Sequence, residues 1–201
     1  MHARRTASAI SPRHVEIDVP FAHFHLIEPV AKTISGDRLV ARRGLLKTWP
    51  GRIRCVVASL ASRAALDVSY HPTRPDIMYD DYDDVVESSY ESPCGQLSVA
   101  DWLDQLILPL PPLPPGRGTY RVRYHTREPR KNNRTDCLIQ IWPEDPGAPS
   151  ELKITTGLGQ LWHPAARFRA RTILAGARGH AHLNYSDAWP DGISSTRFGR
   201  T

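Results

Sequence analysis

The densest group of ionisable side chains in the sequence is acidic. Five aspartates lie between residues 76 and 84, in the stretch DIMYDDYDD, with Glu87 just beyond. Clustered carboxylates can bind Ca²⁺ or Mg²⁺, but the calcium-loop spacing with its central glycine is missing. Tyr79 and Tyr82 are interleaved with the acids, and aromatic residues are enriched in protein interfaces. A hydrated loop is the ordinary interpretation; the functional one is a negative recognition surface whose candidate partner-binding residues are Asp80, Asp81, Tyr82, Asp83 and Asp84.

A second candidate surface is basic. In TYRVRYHTRE, residues 119–128, Tyr120, Val122 and Tyr124 alternate with basic residues. A period of two is the pattern of a β-strand with one buried face, so we expect the arginines to lie mostly on the face exposed to water. The functional alternative is nucleic-acid contact through a basic segment that comprises Arg121, Arg123, Arg127, Arg130, Lys131 and Arg134.

Metal and catalytic motifs are weak. His23 and His25 share a strand face by their spacing, but a metal site needs a third ligand, for which His125 is the nearest candidate. The cysteines are far apart and form no CxxC pair. The sequence has no GxSxG elbow, phosphate-binding glycine loop, HExxH or dinucleotide fingerprint. We therefore predict no metal, no cofactor and no catalytic site, and a metal protein or enzyme remains a further alternative.

The composition favours one folded domain in a reducing compartment. A chain of 201 residues with 40% hydrophobic content can bury a single core, and its 18 prolines argue against a helical bundle. The N-terminus has no apolar run of a secretory signal, and no stretch approaches the ~18 apolar residues of a membrane span. Because Cys55 and Cys137 lie in apolar, strand-like runs, we predict buried free thiols and a cytoplasmic location.

The positive net charge of +5 comes from the ends of the chain. Of the 26 Lys and Arg residues, three lie in 1–13 and six in 164–201, which leaves 17 basic against 19 acidic residues in 14–163, a net charge of −2. A duplex-binding domain usually has its basic excess on the folded part. Contact with nucleic acid through the basic tails is therefore predicted to be weak and sensitive to salt.

Short alternating stretches predict a mainly β protein, a single antiparallel β-sandwich of six to eight strands. In residues 15–26 the apolar positions change phase once, which predicts a β-bulge at Ala22 and His23. Residues 101–110 are expected to form a helical turn or a loose connection. The stretches 119–128 and 136–145 are expected to pair antiparallel around the turn sequence PRKNNR.

The predicted sandwich covers residues 14–163. It lies between a flexible basic tail, residues 1–13, and a basic C-terminal extension, residues 164–201. The extension is expected to be irregular or partly helical, with Pro164 at the start of a helix. It has no strong period, so we expect it to be poorly ordered or loosely packed.

The order of four segments resembles a group of uncharacterised bacterial proteins from high-GC genomes. The segments are VEIDVPFAHFHLIEP, YDDYDDVVESSYESPCGQL, LPPGRGTYRVRYHTRE and DCLIQIWPED. The opening strand and the entry to the late strand are also similar, more distantly, to the competence protein J family. That resemblance implies a small β-sandwich and the inhibition of a DNA-entry nuclease. It implies no active-site residue.

These observations lead to one main functional hypothesis, a cytoplasmic, non-catalytic binding module of the immunity or nuclease-inhibitor kind. Its partner would be a protein, such as a nuclease or toxin, and the acidic stretch would mimic a phosphate backbone in a basic cleft. The alternative is a nucleic-acid-associated protein that uses the basic tails and the 121–134 segment. No membrane association is expected.

Overall fold

The structure, a computed structural model, describes residues 10–31, 44–57, 61–129 and 133–163. In these residues the chain forms two β-sheets and one short helix. In spatial order, the six-stranded sheet consists of β1 (Ile10–Asp18), β5 (Arg63–Tyr70), β10 (Arg134–Pro143), β9 (Gly118–Thr126), β6 (Asp84–Ser92) and β11 (Ser150–Ile154). The five-stranded sheet consists of β3 (Leu46–Trp49), β4 (Arg52–Val56), β2 (His23–Ile27), β7 (Ser98–Ala100) and β8 (Leu106–Pro109).

The hydrophobic core lies between the two sheets. Tyr120, Val122 and Tyr124 of β9 are fully buried, as their alternation predicts, and Phe24 and Leu26 of β2 face them from the other sheet. Each strand contributes alternate side chains to this layer because side chains on a strand point to opposite faces. The predicted mainly β, antiparallel sandwich is therefore confirmed, but the described residues form eleven strands where six to eight were expected.

The two stretches around PRKNNR pair as predicted. β9 and β10 are antiparallel, with Tyr124 opposite Ile139, and Asn133 of the turn has a left-handed backbone conformation. On its other side β10 pairs in parallel with β5, a long-range contact that local patterns do not indicate. β10 is thus a central strand, covered by neighbours along both edges.

Two local predictions were wrong. The phase change in residues 15–26 is not a β-bulge but a crossing between sheets, because β1 belongs to one sheet and β2 to the other. Ala22, with a φ of 56°, lies in the connecting turn, and Phe21 is exposed to solvent instead of sharing the buried face. Residues 106–109 form β8, where a loose connection was expected.

The C-terminal part contains a short helix, α1 (Gly157–Trp162), which was not predicted. Thr156 is its N-cap, and the side-chain oxygen accepts a hydrogen bond from the Gly159 N–H. The predicted helix after Pro164, the extension 164–201 and the first nine residues lie outside the described residues.

The cysteines are free thiols, and Cys55 and Cys137 are buried in the core as predicted. Burial raises the pKa of the Cys137 thiol to about 12, and it raises the pKa of Cys55 as well. Both are therefore neutral, apolar side chains at physiological pH. In the parts of the chain that the structure describes, no helix is long and apolar enough to cross a membrane.

A buried carboxylate joins the two sheets at one end of the sandwich. Glu28, just after β2, accepts hydrogen bonds from the Tyr90 hydroxyl at 2.6 Å, the Ser92 hydroxyl and the Cys94 N–H at 2.7 Å. Tyr90 and Ser92 belong to β6 of the other sheet. Burial, together with the bond to Glu28, raises the pKa of Tyr90, so that this hydroxyl remains a donor.

We expect Glu28→Gln to lower the free energy of unfolding by about 2 kcal/mol, because an amide presents an N–H where three donors need an acceptor. Urea unfolding at pH 7 measures the change. Glu91→Gln is the matched control, since Glu91 is an exposed carboxylate on β6 and its loss should cost no more than about 0.5 kcal/mol. Equal effects of the two substitutions would contradict a role for Glu28 in holding the sheets together.

Candidate functional site

A row of polar residues crosses the outer face of the six-stranded sheet. Glu87 of β6 lies opposite Arg123 of β9, which lies opposite Gln140 of β10, which lies opposite Ser69 of β5. Because these strands send alternate side chains into the core, this row lies on the face away from the other sheet. Such a face is normally open to water, but three of these side chains are buried almost completely, Glu87, Arg123 and Gln140.

Two arginines of β9 bind one carboxylate. The Arg123 Nε donates to Glu87 Oε1 at 2.7 Å, and the Arg121 Nε donates to Glu87 Oε2 at 3.1 Å. Arg123 is 0% exposed, Arg121 5% and Glu87 2%. The expectation that this arginine row faces water was therefore wrong, because Pro75 and Asp76 contact Arg123, and Gly147 and Ser150 contact Arg121.

The charges in this network are strongly coupled. Burial alone would raise the pKa of Glu87, but the hydrogen bond and charge of Arg123 and the hydrogen bond of Arg121 hold it below its usual value. Arg74, which is exposed, adds a third guanidinium, with Nη2 at 3.1 and 3.2 Å from the two carboxylate oxygens. Glu87 therefore stays ionised while it neutralises cations that the fold has removed from water.

The segment that covers the row is residues 71–83, here named the acidic loop. Arg123 reaches from the sheet into this loop, and its Nη1 donates to the main-chain carbonyls of Pro75 at 3.0 Å and Asp76 at 3.1 Å. The same guanidinium thus binds Glu87 with one nitrogen and the loop with another. It also lies 4.9 Å from the centre of the Trp142 ring.

Two further cations hold the second half of the acidic loop by its backbone. Lys153 of β11 donates from Nζ to the carbonyls of Tyr79 and Tyr82, each at 2.6 Å. Arg127 donates from Nε to the carbonyl of Asp81 at 2.6 Å, and its Nη2 contacts the same oxygen. The basic side chains beneath the loop therefore use main-chain oxygens as acceptors.

Tyr82 fixes the loop from its apolar side. Its ring lies 5.0 Å from the His125 ring and 5.4 Å from the Arg127 guanidinium, measured to the ring centre. Burial raises the pKa of Tyr82 to about 12. Of the candidate partner-binding residues, Tyr82 is thus half-buried and serves mainly to anchor the loop.

Two of the candidate aspartates are also structural. Asp84 is buried, and its Oδ1 accepts hydrogen bonds from the N–H groups of Thr155 at 2.7 Å and Thr156 at 3.0 Å, at the start of α1. Asp83 accepts a hydrogen bond from the Glu128 N–H at 2.9 Å. Neither carboxylate is freely available to a partner.

Of the predicted partner-binding acids, only Asp80 and Asp81 are accessible. Asp76, which was not in the predicted set, is a third accessible aspartate of the loop. All three are exposed, and none of their carboxylates has an ion pair or hydrogen bond within the described residues. Met78 and Tyr79 lie between them and are each 42% exposed. The loop thus presents free carboxylates and two large apolar side chains on a backbone that cations hold from below.

The described members of the alternative basic surface do not form a continuous patch. Arg121 and Arg123 are buried, while Arg127 and Arg134 are partly exposed and both pair with Asp136, at 3.5 and 3.2 Å. Arg134 also pairs with Glu16 at 3.0 Å. The other two members, Arg130 and Lys131, lie outside the described residues.

The histidines proposed as metal ligands are not brought together. His23 and His25 lie on the five-stranded sheet with ring centres 5.3 Å apart, whereas His125 lies beneath the acidic loop on the other sheet. No group of three His, Cys, Asp or Glu side chains suited to a metal ion occurs in the described ranges. His25 instead shares Asp104 with Arg52, an ionic cluster that the sequence did not indicate.

No family model matches the chain, and curated proteins give no significant match. Two solved structures show a distant structural resemblance. One is ComJ of Bacillus subtilis, an inhibitor of the DNA degrading activity of NucA, with a TM-score of 0.48 and 10% identity; the match covers 68% of this chain and 98% of ComJ. The other is crocagin biosynthetic gene J, with a TM-score of 0.46 and 13% identity; the match covers 69% of this chain and 99% of that protein.

Substitution of Glu87 tests the buried network. We expect Glu87→Gln to lower the free energy of unfolding by about 3–5 kcal/mol, because it leaves two buried guanidinium charges without a counter-charge. The exposed Glu91 on the same strand again provides the control, Glu91→Gln, and urea unfolding measures both. A Glu87 variant as stable as the control would show that the network carries no net energy.

The two buried histidines predict how stability depends on pH. Burial lowers the pKa of His25 and of His125 from 6.5 to about 4, assisted at His125 by the charge of Arg123. Below pH 6.5 the unfolded chain binds protons that the folded chain excludes. The contribution of these histidines to the free energy of unfolding should therefore be fully present above pH 6.5. It should decrease as the pH falls toward 4, by about 1.4 kcal/mol per pH unit for each histidine.

The free energy of unfolding, measured in urea between pH 6.5 and 5, checks this expectation. His125→Leu should reduce the slope by the contribution of one proton while leaving that of His25. An unchanged slope in the variant would mean that His125 is not held neutral by the fold.

Proposed function

We propose that this protein is a non-catalytic, cytoplasmic binding module that docks a basic protein partner on the exposed side of the acidic loop. One observation carries the proposal. The cations beneath the loop bind its main-chain carbonyls, and the carboxylates of Asp76, Asp80 and Asp81 are left exposed without an ion pair among the described residues.

A held loop is better suited to recognition than a mobile one. Its contacts to Arg123, Arg127 and Lys153 restrict the loop before a partner arrives, so less conformational entropy is lost on binding. Free carboxylates attract a basic surface over a distance and raise the association rate. Met78 and Tyr79, between these acids, supply the apolar contact area that interface centres require.

The partner class that fits best is a nuclease or toxin with a basic cleft. An enzyme that binds the nucleic-acid backbone has a cluster of cations at the phosphate positions. Exposed carboxylates on a fixed loop present negative charge to the same cations, so that the loop and the nucleic acid would compete. The protein would then act as an inhibitor or immunity protein.

The test uses two double variants with the same change in charge. Asp80→Asn/Asp81→Asn removes two free carboxylates from the loop, and Glu91→Gln/Asp145→Asn removes two exposed carboxylates elsewhere. Asp83 and Asp84 are left intact because they bind backbone N–H groups. Nucleases and toxins from the same genome are purified and titrated with each variant by calorimetry, and DNA degradation is followed in parallel.

We expect the wild type and the control to bind one of these enzymes and suppress its activity. The loop variant should bind at least ten times more weakly, with a smaller dependence on salt. A partner that binds both variants equally would exclude the acidic loop as the docking surface. If no nuclease or toxin is bound or inhibited by the wild type, the proposed partner class is wrong.

A further inference from the structure

The free edges of the two sheets open on a common cleft. In the part of the chain that the structure describes, β1 is the last strand of the six-stranded sheet on this side, and β8 is the last strand of the five-stranded sheet. The cleft has a volume of about 340 Å³. Its apolar lining includes Ile17, Trp102 and Ile107, and its acidic lining consists of Glu16, Asp18 and Asp101.

An exposed apolar patch surrounds the β8 side of this cleft. Leu106 is 66% exposed, Phe21 58%, Leu103 55% and Ile107 42%. The Phe21 ring lies against Trp102, with ring centres 4.1 Å apart. Of these apolar residues, Ile107 lines the cleft together with Trp102, and Phe21 joins them through its contact with Trp102. Isolated exposed apolar residues are common on protein surfaces, whereas grouped ones mark interaction sites.

β8 also offers unused backbone groups. It pairs only with β7, so one edge of Leu106–Pro109 has no strand beside it in the described structure. Natural sheets usually protect such an edge with charged residues or a proline. Here Pro109 protects the end of the strand, whereas Leu106, Ile107 and Leu108 are apolar and leave the rest open to pairing.

The connection between β7 and β8 is held in place before any partner binds. Asp104 has a left-handed backbone, with a φ of 64°, which is unfavourable for a residue with a side chain. Arg52 holds its carboxylate with two hydrogen bonds, at 2.6 and 2.7 Å, and His25 lies at 2.8 Å. This anchor fixes the short segment that carries Trp102 and Leu103.

We propose that this cleft binds an extended segment of a partner protein in which apolar and basic residues alternate. The segment adds to β8 as an antiparallel or parallel strand, so that the exposed backbone groups of β8 are paired. Its apolar side chains occupy the cleft beside Ile107 and Trp102. Its basic side chains pair with Glu16, Asp18 and Asp101.

The negative charge of the cleft lining favours such a partner over a second copy of this chain. Within the described residues the cleft is lined by three carboxylates and no cation. Two of these acids have cationic neighbours, Arg134 at 3.0 Å from Glu16 and Arg63 at 3.5 Å from Asp18, but both pairs are exposed and therefore weak. Asp101 accepts hydrogen bonds on Oδ1 from the Leu103 and Gln105 N–H groups, each at 2.8 Å, which leaves its negative charge without a cationic partner among the described residues. A second copy would place the same three carboxylates opposite the first set, and its β8 segment carries no basic residue.

The probes are three synthetic heptapeptides with blocked ends. The first alternates lysine with valine, the second replaces lysine by glutamate, and the third replaces valine by serine. Binding to the full chain is measured by fluorescence anisotropy at low and physiological salt. We expect the lysine–valine peptide to bind at least ten times more tightly than either of the other two.

Protein variants locate the binding. Ile107→Ser and Glu16→Gln/Asp18→Asn should each weaken binding of the lysine–valine peptide at least fivefold, while Glu91→Gln leaves it unchanged. Ile107 is exposed, so an unchanged urea midpoint should show that its variant folds. Asp80→Asn/Asp81→Asn must not alter the affinity, and a loss in that variant would move the site to the acidic loop and overturn the proposal.

Two other results would also overturn it. Equal binding of the lysine–valine and glutamate–valine peptides would show that the acids have no part. A stable dimer in sedimentation analysis that Ile107→Ser dissociates would show that β8 pairs with a second copy. None of these outcomes depends on whether the acidic loop binds a nuclease.

Discussion

The contact between Glu87 and Arg123 determines how the outer face of the six-stranded sheet is built. Arg123 is removed from water, and its charge is compatible with that position only because a buried carboxylate lies 2.7 Å from its Nε. Its Nη1 then donates to the carbonyls of Pro75 and Asp76. Without Glu87 the arginine would need solvent, and the acidic loop could not lie over it.

The same arrangement occurs on the other sheet. Arg52 is nearly buried, and its guanidinium holds Asp104 in the connection between β7 and β8. In both places a buried arginine fixes a connection whose neighbouring side chains remain exposed. The loops are thus ordered by contacts on their inner side, and their outer side is available for recognition. This division explains how a β-sandwich with short strands can carry two candidate docking surfaces.

The strand faces could be predicted from the sequence, but their surroundings could not. Alternation correctly placed Tyr120, Val122 and Tyr124 in the core. The same alternation placed Arg121 and Arg123 on the outer face, which is right, but it cannot indicate that a loop from elsewhere covers that face. The alternation of side chains along a strand is a local property. Whether another segment covers a face of the sheet depends on the path of the whole chain.

The candidate acids show the same limit. The five aspartates of one short stretch are the same residue type, yet Asp84 is buried and binds the N-cap residue Thr156, 72 residues away, while the Asp80 and Asp81 carboxylates have no partner in the described residues. The phase change before Phe24 was equally ambiguous, since a bulge and a crossing between sheets produce the same pattern. Only the partner strands, β5 for β1 and β4 for β2, decide between them.

Cations beneath the acidic loop hold it in one conformation, and the proposed docking surface depends on this restraint. Nitrogen-15 relaxation of the free protein measures this directly through the backbone order parameters of residues 76–82. Values near those of the flanking strands, about 0.85, are expected if Arg123, Arg127 and Lys153 bind the loop carbonyls in solution. Values below about 0.6 for these residues would contradict this, because a loop that moves freely on the picosecond-to-nanosecond timescale is not held by the network on the sheet.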